Sequence, residues 1–168
     1  MNKLPLLIAG MVIAGASLVP MPTPASPAAS ALALTAHCEV PCGIYADQHR
    51  FEEMLEDTAT ITKAIDQINE LASKNDGQSV NQCVRWVTTK EAHATNVQHI
   101  VSQYMLTQRI KADKPRYAEQ LAAAHGVLVA AMKAKQGTSA EAGPALKAAI
   151  LKLHKAYTGK EHAPHEHK

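Results

Sequence analysis

His37-Cys38-Glu39-Val40-Pro41-Cys42-Gly43-Ile44-Tyr45 concentrates an imidazole, two thiols and a phenol in one short segment. The thiols stand four residues apart, and Pro41 and Gly43 keep the segment from becoming helical, so a tight loop can bring both sulfurs to one point. If the chain is cleaved after Ala36, His37 also gains a free α-amine. That amine, the Cys38 amide nitrogen once deprotonated and the two thiolates can close a plane of two nitrogens and two sulfurs around one metal, with the His37 imidazole as an axial fifth donor. Square-planar geometry suits Cu(II) or Ni(II), whereas zinc prefers a tetrahedron. Deprotonated amide and thiolate donors stabilise a higher oxidation state, which makes one-electron redox chemistry accessible. In an exported chain the same two cysteines also suit a small disulfide loop. The cysteines alone leave both readings open.

The chemistry depends on what precedes His37. Met1 to Lys3 carries a positive charge, Leu4 to Val19 is an apolar run broken by Pro5, Gly10 and Gly15, and Pro20 to Ala36 is rich in Pro, Ala and Ser. This is the pattern of an export signal. The apolar run is short for a membrane span, which needs roughly 20 residues. Small-x-small cleavage sites occur at Ala29-Ser30-Ala31, Ala31-Leu32-Ala33 and Leu34-Thr35-Ala36. Residues 1–36 are read as a cleaved targeting segment, and the rest as periplasmic or extracellular, with no membrane contact after processing. Cleavage at Ala36 leaves 168 − 36 = 132 residues and removes Lys3, lowering the formal charge from +2 to +1.

The elements that must carry the hook read as four helices. Phe51, Met54, Leu55, Thr58, Ile61, Ile65, Ile68 and Leu71 recur at three- and four-residue steps. Asn75-Asp76-Gly77 supplies a turn, with Ser79 as a candidate N-cap. Val84, Val87, Ala94, Val97, Val101 and Tyr104 mark a second buried stripe. Lys114-Pro115 restarts the chain with Pro in a first helical turn, followed by Tyr117, Leu121, Ala124, Leu128 and Ala131. Ser139 or Gly143-Pro144 opens a fourth helix, with Leu146, Ala149, Ile150, Leu153 and Tyr157 on one face and Gly159 at its end. Strand signals are absent. Four helices on short loops predict an all-α, antiparallel up-and-down four-helix bundle with an N-terminal metal-binding hook. The domain spans 37–160, the hook 37–45, and a flexible His-rich tail 161–168.

Composition removes several function classes. Lys+Arg of 17 against Asp+Glu of 15 is too balanced for a phosphate-backbone binder, so nucleic acid is excluded as a partner. Phosphate-cradling glycine loops and nucleophile elbows are absent, which removes nucleotide-dependent and hydrolase readings. Cys83 reads as a buried small residue without a function. His99 and His125 fall within helices as structural or solvated residues. His162, His165 and His167 belong to a solvated tail, with divalent-metal capture as its other reading. Alanine-rich stripes with one Trp and one Phe bury little area per turn, so further burial between subunits is expected.

His-Cys-x-x-Pro-Cys-Gly-x-Tyr over His37 to Tyr45 resembles the nickel hook of the nickel-containing superoxide dismutases, with every fixed position present. The resemblance implies a four-helix bundle, usually a homohexamer, with one nickel ion per subunit. It implies disproportionation of superoxide to dioxygen and hydrogen peroxide by Ni(III)/Ni(II) cycling. His37, Cys38 and Cys42 would be the ligands, and Tyr45 the phenol guarding the open face of the metal. Glu53, at the matching distance along the first helix, would orient the axial imidazole. The family's usual Arg beside that Glu falls on His93, which would introduce a titratable group there. An exported nickel or copper carrier, using the same hook without turnover, is the rival from another class.

Overall fold

Apolar residues at helical spacing close into four α-helices and one π-helical stretch in the computed structural model, which describes residues 43–163. Helix α1, Asp47–Leu71, turns Phe51, Met54, Thr58, Ile61, Ile65 and Ile68 inward. Glu56, Lys63, Asp66 and Glu70 lie on its outer face, as an amphipathic helix requires, whereas Asp57 is buried.

Helix α2, Gly77–His99, is capped by Asp76 rather than by Ser79. The Asp76 carboxylate accepts from the Ser79 amide at 3.0 Å and from the Ser79 hydroxyl at 2.6 Å. Asp caps as well as Ser does, and a carboxylate is also favoured at the positive end of a helix. Ala94 and Val97 are buried as expected, but Val84 and Val87 are 60% and 40% exposed. The helical phase that buries Ala94 and Val97 carries Ser79, Trp86 and Lys90 along the same stripe, which turns Val80, Val84 and Val87 outward. Lys90 is buried because it has work at the other end of the bundle. Its ammonium donates to the carbonyls of Lys135 and Gly137 at 2.9 and 2.8 Å, closing the C-terminus of the next helix where a cation is favoured.

Beyond His99 the helix widens into a π-helical segment, Ile100–Arg109, in which each hydrogen bond closes one residue later than in an α-helix. It ends with the Ile110 amide on the Met105 carbonyl at 2.8 Å. Helix α3, Tyr117–Gln136, begins two residues after Pro115, which lies in the preceding turn rather than in the first helical turn. Arg116, between them, takes the left-handed conformation at φ 62°, and its guanidinium donates to the Lys155 carbonyl at 3.1 Å. Helix α4, Ala142–Thr158, holds Pro144 in its first turn and ends at Gly159, φ 77°. Gly143 brings the start of α4 against Thr62 of α1 more closely than a Cβ would allow.

Successive helices pack side by side on short connections, and α4 packs back on α1, giving the up-and-down four-helix bundle. Among the described residues there is no strand, and no helix is long and apolar enough to cross a membrane. The core joins Phe51, Met54, Ile61 and Ile65 of α1 to Val97, Val101 and Met105, and to Leu146, Ile150 and Leu153 of α4. Helix α3 contributes Ala123, Ala124, Val127, Ala131 and Ala134, small side chains that permit close approach, while Leu121 and Leu128 lie at the margin of the core. His162 packs edge-on against the buried His154, ring centres 4.9 Å apart.

Candidate metal centre

His37, Cys38 and Cys42 lie outside the described residues, which begin at Gly43, the C-terminal edge of the hook segment. Gly43 has φ 82°, a left-handed backbone that favours glycine. Ile44 and Tyr45 follow, 74% and 41% exposed. Ala46 then enters α1 with an extended backbone and offers no side-chain cap.

The first turns of α1 bring Tyr45 and Glu53 together through a residue that the sequence reading passed over. The Arg50 guanidinium lies over the Tyr45 ring, 4.5 Å from its centre, close enough for a cation–π contact. The same guanidinium places a nitrogen 2.7 Å from Glu53 Oε2. Glu53 Oε1 accepts from Asn96 Nδ2 at 3.1 Å, and that amide also donates to Asp57 Oδ2 at 2.8 Å. His93 Nδ1 lies 2.6 Å from Asp57 Oδ1. A line of polar groups therefore runs from Tyr45 through Arg50, Glu53, Asn96 and Asp57 to His93. The position of the family's usual Arg is expected to fall on His93, leaving Glu53 beside a titratable group. His93 is one helical turn removed, on the buried Asp57, and the cation against Glu53 is Arg50 from α1 itself. The i, i+3 spacing of Arg50 and Glu53 was a usable signal. Asn96 and Asp57 carried none, because only the pairing of α1 with α2 brings them to Glu53.

A second carboxylate anchors the start of α1. Asp47 Oδ1 accepts from the Tyr104 hydroxyl at 2.6 Å, and its Oδ2 from Arg109 at 2.6 Å and from the Tyr157 hydroxyl at 2.7 Å. Burial disfavours the charge on Asp47, but the bonds from Arg109, Tyr104 and Tyr157 and the Arg109 charge outweigh it, holding the carboxyl below the usual carboxylate range. Burial and the bond to Asp47 push the Tyr104 phenol up to about 12, and the same two causes raise Tyr157. Arg109, Lys111, Lys114 and Arg116 line a cleft of about 500 Å³ beside Tyr157.

Two buried atoms in this region make no hydrogen bond: Arg50 Nε and Glu53 Oε2, the latter despite its close ionic contact. Buried polar groups are usually fully satisfied in native structures because desolvation is costly, and among the described residues Glu53 Oε2 has the Arg50 cation as its one contact. Glu53 Oε2 is thus an acceptor with capacity left for an imidazole N–H, which fits a metal-bound histidine whose second nitrogen needs a partner. The donor set of residues 37–42, two thiolates with nitrogen ligands, fits a soft or borderline metal that tolerates a square plane. Among the described residues no three His, Cys, Asp or Glu side chains converge to hold a metal ion.

A family model described as nickel-containing superoxide dismutase matches residues 32–161, a span that includes the hook and all four helices. No curated protein and no solved structure matches the chain.

Proposed function

The chain belongs to the nickel-containing superoxide dismutases, oxidoreductases that act on superoxide with a nickel cofactor, and on that premise we propose which of its residues carry the reaction. His37, Cys38 and Cys42 would hold one nickel ion per subunit, His37 through its α-amine and its imidazole. Bound there, nickel would supply a one-electron Ni(III)/Ni(II) couple. Overall, two superoxide ions and two protons yield dioxygen and hydrogen peroxide.

The rest falls to the protein. Glu53 accepts the second imidazole proton of His37, keeping the ring turned toward the metal and strengthening it as a donor. Arg50 holds the Glu53 carboxylate in place through its ion pair, while Asn96 fixes its other oxygen. Tyr45, half-exposed at the end of the hook segment, would limit access to the site and pass protons from water to the peroxide product. The basic cleft formed by Arg109, Lys111, Lys114 and Arg116 favours the approach of an anion. Residues 1–36 direct export and are removed, and the processed chain assembles as a homohexamer.

The family match across the hook and the helices carries this reading. It is tested by sequencing the N-terminus of the purified protein and measuring its nickel content and superoxide turnover. A chain beginning at His37 with one nickel and fast turnover is expected. A chain beginning at Leu32 or Leu34 has no free His37 amine and overturns the ligand assignment. Stoichiometric nickel without turnover identifies a carrier instead.

A further inference from the structure

Asp47 sits in the first turn of α1, where a carboxylate ordinarily bonds the free backbone N–H groups of the helix end. It does not cap the helix. Both oxygens are instead taken by side chains from remote parts of the chain: Tyr104 and Arg109 of the π-helical segment and Tyr157 of α4. One of these partners continues to the hook. The Tyr104 hydroxyl lies 3.1 Å from the Tyr45 carbonyl as well as 2.6 Å from Asp47, and its ring stands edge-on to the Tyr45 ring at 6.3 Å. Tyr104 therefore touches both the main chain and the ring of the residue where the hook leaves the bundle.

The π-helical geometry makes this possible. In an α-helix residues five apart stand about 140° apart around the axis, so Tyr104 and Arg109 could not both face one carboxylate. With hydrogen bonds closing five residues back, residues at that spacing come into near register on one face. Both side chains then reach Asp47. Such segments recur at functional sites, where a local distortion aims side chains that regular geometry would separate.

We propose that Asp47, gripped by Tyr104 and Arg109 of the π-helical segment and by Tyr157, is a positioning residue that fixes Tyr45 and the exit of the hook relative to the bundle. The proposal rests on the nickel-dismutase reading. Asp47 touches neither metal nor substrate in it and acts through Tyr104 on Tyr45. Loss of the clamp frees the hook to sample conformations that do not bind nickel, so apparent affinity falls by the fraction of competent conformers.

The test compares Asp47→Asn, Tyr104→Phe and Tyr157→Phe in the processed chain. Hydrogen exchange of residues 43–47 is followed in the metal-free protein, and Ni²⁺ affinity is measured by calorimetric titration. Asp47→Asn and Tyr104→Phe are expected to speed exchange in that segment and to weaken Ni²⁺ binding by about tenfold, with helical circular dichroism unchanged. Tyr157→Phe removes an equal bond to the same carboxylate but no link to Tyr45, so its exchange in residues 43–47 stays at the wild-type rate. If all three variants behave alike, Asp47 only stabilises the bundle and the proposal is overturned; unchanged exchange in Tyr104→Phe overturns it too. A wild-type chain that takes up no Ni²⁺ overturns the nickel reading itself. A nickel-binding wild type with unaltered affinity in Asp47→Asn overturns the clamp alone.

Discussion

Arg50 and Glu53 form an ion pair one turn apart on α1, with 2.7 Å between guanidinium and carboxylate, and it joins the Tyr45 ring to the carboxylate proposed as the partner of the His37 imidazole. Both side chains are largely covered, 16% and 30% exposed, so the pair is screened less than a surface bridge.

Glu53→Gln is expected to retain nickel, because the hook donors are untouched, and to lower turnover by about 10- to 100-fold, the usual cost of losing a partner of a metal-bound histidine. Arg50→Gln should lower turnover in the same direction by leaving the Glu53 carboxylate without its cation. Nickel content, the Ni(III) signal in electron paramagnetic resonance and turnover, measured together, check this. Wild-type turnover in Glu53→Gln would remove that residue from the site. His93→Gln should have a smaller effect than Glu53→Gln, since His93 bonds Asp57 and Asn96 still holds Glu53.

Cys38→Ser and Cys42→Ser should each abolish nickel binding and dismutation while leaving helical circular dichroism intact, because both positions precede α1 and the core is built from Phe51 onward. Cys83→Ser should preserve both, as Cys83 lies on α2, partly covered and unpaired. Normal nickel content in an active Cys42→Ser protein would sink the ligand assignment.

The Asp47 clamp sets two pH limits on stability, best measured on the metal-free chain so that release of nickel in acid does not enter. A carboxyl held below its unfolded value, about 3.9, stabilises the fold above that pH, and this contribution is lost as pH falls through the lower folded value. The melting temperatures of wild type and Asp47→Asn should therefore differ at neutral pH and converge in acid. Tyr104 is pushed up to about 12, so its contribution is complete below the unfolded tyrosine value of about 10 and disappears as pH rises toward 12. Spectrophotometric titration of Tyr104→Phe should lack a late-ionising phenol that the wild type shows.

Lys90→Met should destabilise the bundle by about 2–3 kcal/mol, the scale of a charge-assisted hydrogen bond lost from a buried site, because the carbonyls of Lys135 and Gly137 lose their donor. Thermal unfolding measures the loss. Turnover per bound nickel should remain at the wild-type level, since Lys90 contacts the far end of α3.

What the linear chain determined was local. The four-residue spacing of Cys38 and Cys42 around Pro41, the three-and-four periodicity from Phe51 to Leu71, the turn at Asn75-Asp76-Gly77 and the stop at Gly159 depend on neighbours within one or two turns, so they are legible without a fold. Arg50 with Glu53 was legible in the same way, although His93 was the residue singled out. The tertiary structure decided which helix phase is buried, and with it everything that depends on long-range pairing. Lys90 and Trp86 settled on the inner stripe of α2 and turned Val84 and Val87 outward, because a helix can bury only one face and α2 buries the one that continues through Ala94 and Val97. Asn96 meets Glu53 and Asp57 across α1 and α2. Asp47 draws partners from positions 104, 109 and 157, two of them on one face only because the helix widens into a π ladder there. Periodicity shows that a stripe will be buried, but the residues that meet across it depend on the relative rotation and axial shift of the helices, which packing alone sets.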